Sequence, residues 1–97
     1  MSSIVEKYVA RLAPLARGRI RGLVRLDITD QGSVMLSETG AEAGQGPADV
    51  VMRANDEVFR AILSGAQNPV MAYMSGKLKV EGNVQRALKV SSILTGG

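Results

Sequence analysis

The ten residues Met-Ser-Gly-Lys-Leu-Lys-Val-Glu-Gly-Asn, from Met74 to Asn83, restrict the fold more than any other stretch, because they join a helix, a strand and a second helix with almost no linker. Their middle alternates: Leu78 and Val80 fall on one side of a strand, and Lys77, Lys79 and Glu81 on the other. One side is dry and the other wet. Gly76 stands where the preceding helix needs a residue at positive φ, and Gly82 where the strand turns into a helix capped by Asn83. Two glycines therefore set the corners.

The remaining elements follow from periodicity. Ser3 and Glu6 make a capping box ahead of Ile4, Val5, Tyr8, Val9 and Leu12, which predicts a helix from about Ser3 to Ala13, ended or kinked by Pro14. From Ile20 the period becomes two: Ile20, Gly22, Val24, Leu26 and Ile28 share one face of a long strand, with Arg19, Arg21, Arg25 and Asp27 on the other. Asp30-Gln31-Gly32 is a turn signal, so Ser33 to Ser37 return as the second arm of a hairpin, Val34 and Leu36 inward. Residues 38–47 hold three glycines, one proline and no large apolar side chain, and read as an exposed, mobile connection. Ala48 to Ala54 form a further strand with Val50 and Met52 on one face. Asn55 caps a helix whose stripe is Val58, Phe59, Ile62 and Leu63, ended by Gly65; Asn68 and Pro69 open a short helix carrying Val70, Met71, Tyr73 and Met74. The last helix, Asn83 to Leu94, places Val84, Ala87, Leu88, Ser91 and Leu94 on one face.

Strands with one apolar face and helices with apolar stripes require a layered α+β domain: a mostly antiparallel sheet of four to five strands covered on one face by about four helices. At 97 residues the chain reads as one domain, residues 1–97, whose folding removes roughly 64% of the extended chain's surface. Five Met against one Phe and two Tyr suit an irregular apolar interior, although taken alone they read as gap fillers in an ordinary core.

Composition excludes several functions. Cysteine and histidine are absent, which removes disulfides, thiol chemistry and the side chains that most often bind zinc or move protons near neutral pH. The serines have no histidine partner and the carboxylates form no recognisable pair, so no catalytic residue, metal site or cofactor is assigned. No run approaches a membrane span, and neither a signal peptide nor a Ser-Lys-Leu address is present, so a soluble, cytoplasmic protein is expected. The net charge is +3, and Arg17, Arg19, Arg21 and Arg25 fall within nine residues. With no aromatic side chain interleaved to stack on bases, nucleic acid is not expected; the cluster reads as a solvated sheet face, and its functional reading is transient contact with an anionic membrane. Gly96-Gly97 follows a helix, whereas ubiquitin-like modifiers end on a strand.

The Met74–Asn83 stretch, followed by Ala87, Leu88 and Lys89, closely resembles the C-terminal signature of the sterol carrier protein type 2 (SCP2) family. Ala48-Asp49-Val50-Val51-Met52, then Leu63-Ser64-Gly65 and Asn68-Pro69, fall in that family's order and spacing. The resemblance implies a fatty acyl chain, sterol, acyl-CoA or other hydrophobic small molecule held in an apolar tunnel between sheet and helices. The corresponding inward positions are Met52, Val58, Phe59, Ile62, Met71, Met74, Leu78, Val80, Leu88 and Ile93. It implies either a free carrier or an accessory domain presenting apolar substrates to a partner enzyme, and leaves monomer and homodimer open. Ser91 replaces an amide found in many relatives, and Arg86 an apolar residue, so the head group is left open. An empty tunnel of about 300 Å³ would destabilise the fold by roughly 7 kcal/mol at about 24 cal/mol per Å³, comparable to a small domain's whole stability. Such a tunnel collapses when empty or is filled.

Overall fold

The computed structural model describes residues 4–95. Its elements run α1 (Ile4–Ala16), β1 (Val24–Ile28), β2 (Gly32–Ser37), β3 (Gly40–Ala43), β4 (Val50–Ala54), α2 (Asp56–Ser64), α3 (Pro69–Met74), β5 (Lys79–Glu81) and α4 (Val84–Leu94). The five strands form one sheet in the order β3-β2-β1-β4-β5. Three of its pairings are antiparallel and the central one, β1 with β4, is parallel. This is the α+β class expected, with a mixed sheet.

The inner face of the sheet is apolar from edge to edge. One row runs through Val34, Leu26, Met52 and Val80, and a second through Leu36, Val24 and Val50. α1 packs on β2 and β3, and α4 on β4 and β5, so the helices share the sheet's apolar side. The caps are those the sequence signals: the side chains of Asn55, Asn68 and Asn83 accept backbone N–H bonds from the first turns of α2, α3 and α4. Gly82, at φ +96°, turns β5 into α4, and a methyl group on it would lie 2.6 Å from the Asp49 carbonyl oxygen.

Four sequence expectations are corrected. α1 does not end at Ala13 but continues through Pro14 to Ala16. Pro14 and Ala10 lie on the exposed side, so the carbonyl that Pro14 leaves without a partner faces water, while buried Leu12 and Ala16 hold the last turn to the core. β1 begins at Val24, not Ile20, because Gly22 adopts φ +71° and breaks the extended run. Residues 38–47 are not wholly irregular. They include β3, whose small residues let α1 approach closely, Gly40 lying against Ala13.

The fourth concerns the outer face, which is not simply solvated. The chain leaving β3 must reach the far side of β1, and Arg25 Nη1 donates to the Gly46 carbonyl (3.1 Å) as it crosses. Arg25 is thereby separated from Arg17, Arg19 and Arg21, which sit in the connection before β1 instead of on a strand. The Ser3 cap and the Gly96-Gly97 tail lie outside the described residues.

Candidate functional site

The candidate site is the apolar interface between the sheet's inner face and the helices α2, α3 and α4. Its floor comes from β1, β4 and β5 through Leu26, Met52 and Val80. Phe59 and Ile62 project into it from α2, Leu78 enters at the α3–β5 junction, and Ala87, Val90 and Leu94 come from α4. The Leu78 N–H donates to the Ala72 carbonyl (3.1 Å), tying that junction to α3.

The ten residues assigned from the family resemblance divide into three groups. Met52, Phe59, Ile62 and Leu78 are buried, and Val58, Val80 and Ile93 are partly buried against the same cluster. Leu88 is half-buried but does not join it. Met71 and Met74 do not point inward at all: they are 60% and 75% exposed, and Ala72 alone of α3 is buried. A six-residue helix that is apolar all round carries no stripe to orient it, and the small residue wins the close approach to the core. Val90 and Ala72 were not singled out in the sequence. For Val90 the signal was available, since Ala87, Val90, Ser91 and Leu94 follow the three-four spacing of a buried helical face.

The four fully buried members expose 2% of their surface or less, so neighbouring atoms meet them on every side. The space assigned to a tunnel is thus occupied by the protein's own side chains, the collapsed arrangement favoured by the cavity energy above. Admitting a guest requires the helical layer to move away from the sheet. Ser91 is the sole buried polar residue among those described; its hydroxyl donates to the Ala87 carbonyl at 3.1 Å and lies 4.0 Å from Met52 Sδ.

Polar chemistry is confined to the margins. Tyr8 donates to Asp56 Oδ1 (2.6 Å), and Arg60 pairs with the same carboxylate at 2.9 Å. Burial, then the hydrogen bond to Asp56 and its charge, push the Tyr8 hydroxyl well above its usual pKa. Its ring meets Phe59 edge to face with centroids 6.4 Å apart. A surface cleft of about 470 Å³ opens between α1 and α2, edged by Lys7, Tyr8, Arg11, Arg60, Leu63 and Ser64. On the outer sheet face, Asp27 accepts from Ser33 (2.8 Å) and pairs with Arg25 (2.9 Å) and Arg53 (3.2 Å). Burial alone would raise the Asp27 carboxyl, but the bonds from Ser33, Arg25 and Arg53 outweigh it and hold the pKa below its ordinary value. Among the described residues, no cluster of three His, Cys, Asp or Glu side chains could hold a metal ion, and no helix is long and apolar enough to cross a membrane.

A mixed five-stranded sheet with helices on its one apolar face defines a class of small two-layer α+β domains. Within that class, residues 5–95 match the SCP-2 sterol transfer family, and the chain belongs to it. It is similar to the rat hydroxysteroid dehydrogenase-like protein 2, at 42% identity over 64 residues that cover 62% of this chain and 12% of that protein. It is also similar to a fatty acid-binding protein of Yarrowia lipolytica, at 35% identity, covering 71% of this chain and 51% of that protein. The chain therefore spans about an eighth and about half of these two relatives.

Among solved structures, sterol carrier protein 2 from Yarrowia lipolytica in its apo form aligns at 27% identity and TM-score 0.66, covering 75% of this chain and 66% of that one. The Aedes aegypti sterol carrier protein-2 complex with palmitate aligns at 18% identity and TM-score 0.76, covering 97% and 96%; at that identity the likeness shows the fold alone. The family is one of sterol transfer, and lipid binding or transfer is the general function of its domains.

Proposed function

We propose that the chain binds an extended fatty acyl chain between its sheet and its helices, and releases it to or takes it from membranes. The observation that carries this reading is the lining: Met52, Phe59, Ile62, Leu78 and Val90 are apolar, and the hydroxyl beside them, that of Ser91, already has a partner in its own helix. Such a lining rewards methylene burial and offers little to a polar head. Flexible Met52 at the centre of the floor suits a guest of variable shape better than a branched residue would. The similarity to a fatty acid-binding protein supports an acyl chain ahead of a rigid sterol.

The test is a displacement titration with saturated fatty acids of increasing length, all below their aggregation limits. Each added methylene buries about 0.8 kcal/mol, so affinity rises roughly fourfold per carbon until the interface is filled. Affinity independent of length, or set by the head group, refutes the reading. A second role, as an accessory domain presenting apolar substrates to a joined or associated enzyme, is supported by the similarity to hydroxysteroid dehydrogenase-like protein 2, of which this chain matches a small part. Co-purification with an enzyme whose turnover of apolar substrates falls when this chain is removed would favour that role.

A further inference from the structure

The outward face of α3 is apolar where a surface helix is ordinarily polar. Val70, Met71, Tyr73 and Met74 are 42%, 60%, 37% and 75% exposed. At about 100° per residue these four span an arc of roughly 160° whose centre lies opposite Ala72, the residue that faces the core. The patch amounts to on the order of 400 Å², the size of the largest apolar patch on an ordinary monomer, which is often a functional surface.

The charge of the C-terminal part of the chain, which holds α3, is one-sided, even with Arg60 and Arg86 paired to Asp56 and Asp49. Residues 58–97 carry five cations, Arg60, Lys77, Lys79, Arg86 and Lys89, against one carboxylate, Glu81; residues 1–57 carry seven cations against eight carboxylates. The whole positive excess of the chain therefore resides in the part that holds α3 and α4. Glu81 is itself paired with Arg53 at 3.5 Å. No described carboxylate pairs with Lys77, which follows α3 directly, or with Lys89 on α4, the helix packed against α3.

We infer that α3 is the element that docks on anionic lipid bilayers, its Met71 and Met74 side chains entering the acyl boundary and Lys77 and Lys89 meeting the headgroups. This rests on the proposed exchange of lipid with membranes and assigns that exchange a surface. A second copy of the chain fits the patch poorly. An isologous contact across α3 sets two positive surfaces face to face, and about 400 Å² per copy falls below the area of a standard stable interface. Arg17, Arg19 and Arg21, in the connection before β1, also lack a described carboxylate partner, but they are the weaker candidate because Leu23 is the one large apolar side chain exposed beside them, against four on α3. Since α3 also holds the Leu78 junction through Ala72, docking brings the bilayer to the edge of the apolar interface.

The experiment is co-sedimentation with phosphatidylcholine vesicles with and without phosphatidylserine, alongside a Met71→Trp reporter at this exposed position. Expected are binding to the anionic vesicles only, weakened by salt, and a blue shift of the Trp emission that brominated acyl chains quench. Met71→Asp/Met74→Asp lowers the vesicle partition at least about tenfold. Lys77→Gln/Lys89→Gln lowers it about 25-fold, at roughly fivefold per cation. In vesicle-free buffer the Met71→Asp/Met74→Asp protein binds fatty acid as the wild type does, which separates docking from ligand binding. The inference is overturned if the wild type stays in the supernatant, or if the aspartate variant sediments with vesicles unchanged. It is equally overturned if that variant converts a dimer to a monomer in sedimentation equilibrium, or if Arg17→Gln/Arg19→Gln/Arg21→Gln alone abolishes binding. Loss of fatty acid binding with docking intact refutes the ligand reading and leaves this one standing.

Discussion

Replacing Phe59 by Ala separates the collapsed interface from an ordinary core. Phe59 is the largest of the fully buried side chains and packs against Tyr8 as well as the floor. Removing its ring leaves about 100 Å³; at about 24 cal/mol per Å³ the residual cavity contributes about 2.4 kcal/mol on top of a transfer loss of about 2 kcal/mol. The expected destabilisation, about 4 kcal/mol, is read from the shift of a urea unfolding midpoint and leaves a domain of typical stability folded. If α2 and the sheet close over the ligand space, the same deletion opens room for about four methylenes without displacing the helices, and fatty acid affinity rises by up to roughly 200-fold. Decanoate then restores stability to the variant more than to the wild type, because a ligand that binds only the folded state stabilises it by mass action. A variant that is destabilised as expected but binds fatty acids no more tightly than wild type refutes the reasoning, since Phe59 would then pack only other side chains.

Two further outcomes follow from single contacts. Gly82→Ala forces a side chain onto a backbone at φ +96° and against the Asp49 carbonyl, an atom that cannot swing aside; a loss of about 3 kcal/mol in chemical denaturation is expected, and a change below about 0.5 kcal/mol contradicts the geometry. Asp27 has a folded-state pKa depressed below its unfolded value of about 3.9, so its contribution to stability is present above that pH and lost as the pH falls through the folded-state value. Asp27→Asn should therefore lower stability at neutral pH and flatten its decline in acid. An unchanged acid profile would show that Ser33, Arg25 and Arg53 do not favour the ionised carboxyl.

Local signals in the chain foretold most elements, and for a physical reason: the determinants are short-range. An Asn side chain reaches N–H groups two or three residues away, so Asn55, Asn68 and Asn83 mark helix starts that could be read directly. Alternation likewise identified Val34, Leu36, Val50 and Met52 as inward. Where the deciding partner is distant, the pattern misled. Pro14 looked like a stop, yet buried Leu12 and Ala16 carry the helix past it. Residues 40–43 looked irregular because a strand pressed against α1 needs small side chains, and small side chains show no periodicity.

The site divides along the same line. Phe59, Ile62 and Leu78 belong to clear stripes and were legible as interior residues; Met71 and Met74, on a helix apolar on every side, were not, because the choice of face is made by the surface that α3 lies on. The amino-acid sequence by itself determined the elements, their caps and the apolar character of the interior, since each depends on neighbours within a turn or a strand pair. Only tertiary structure decided that β4 runs parallel beside β1, that the layers close tightly on each other, and that α3 turns its methionines to solvent, since each depends on contacts between residues far apart in the chain.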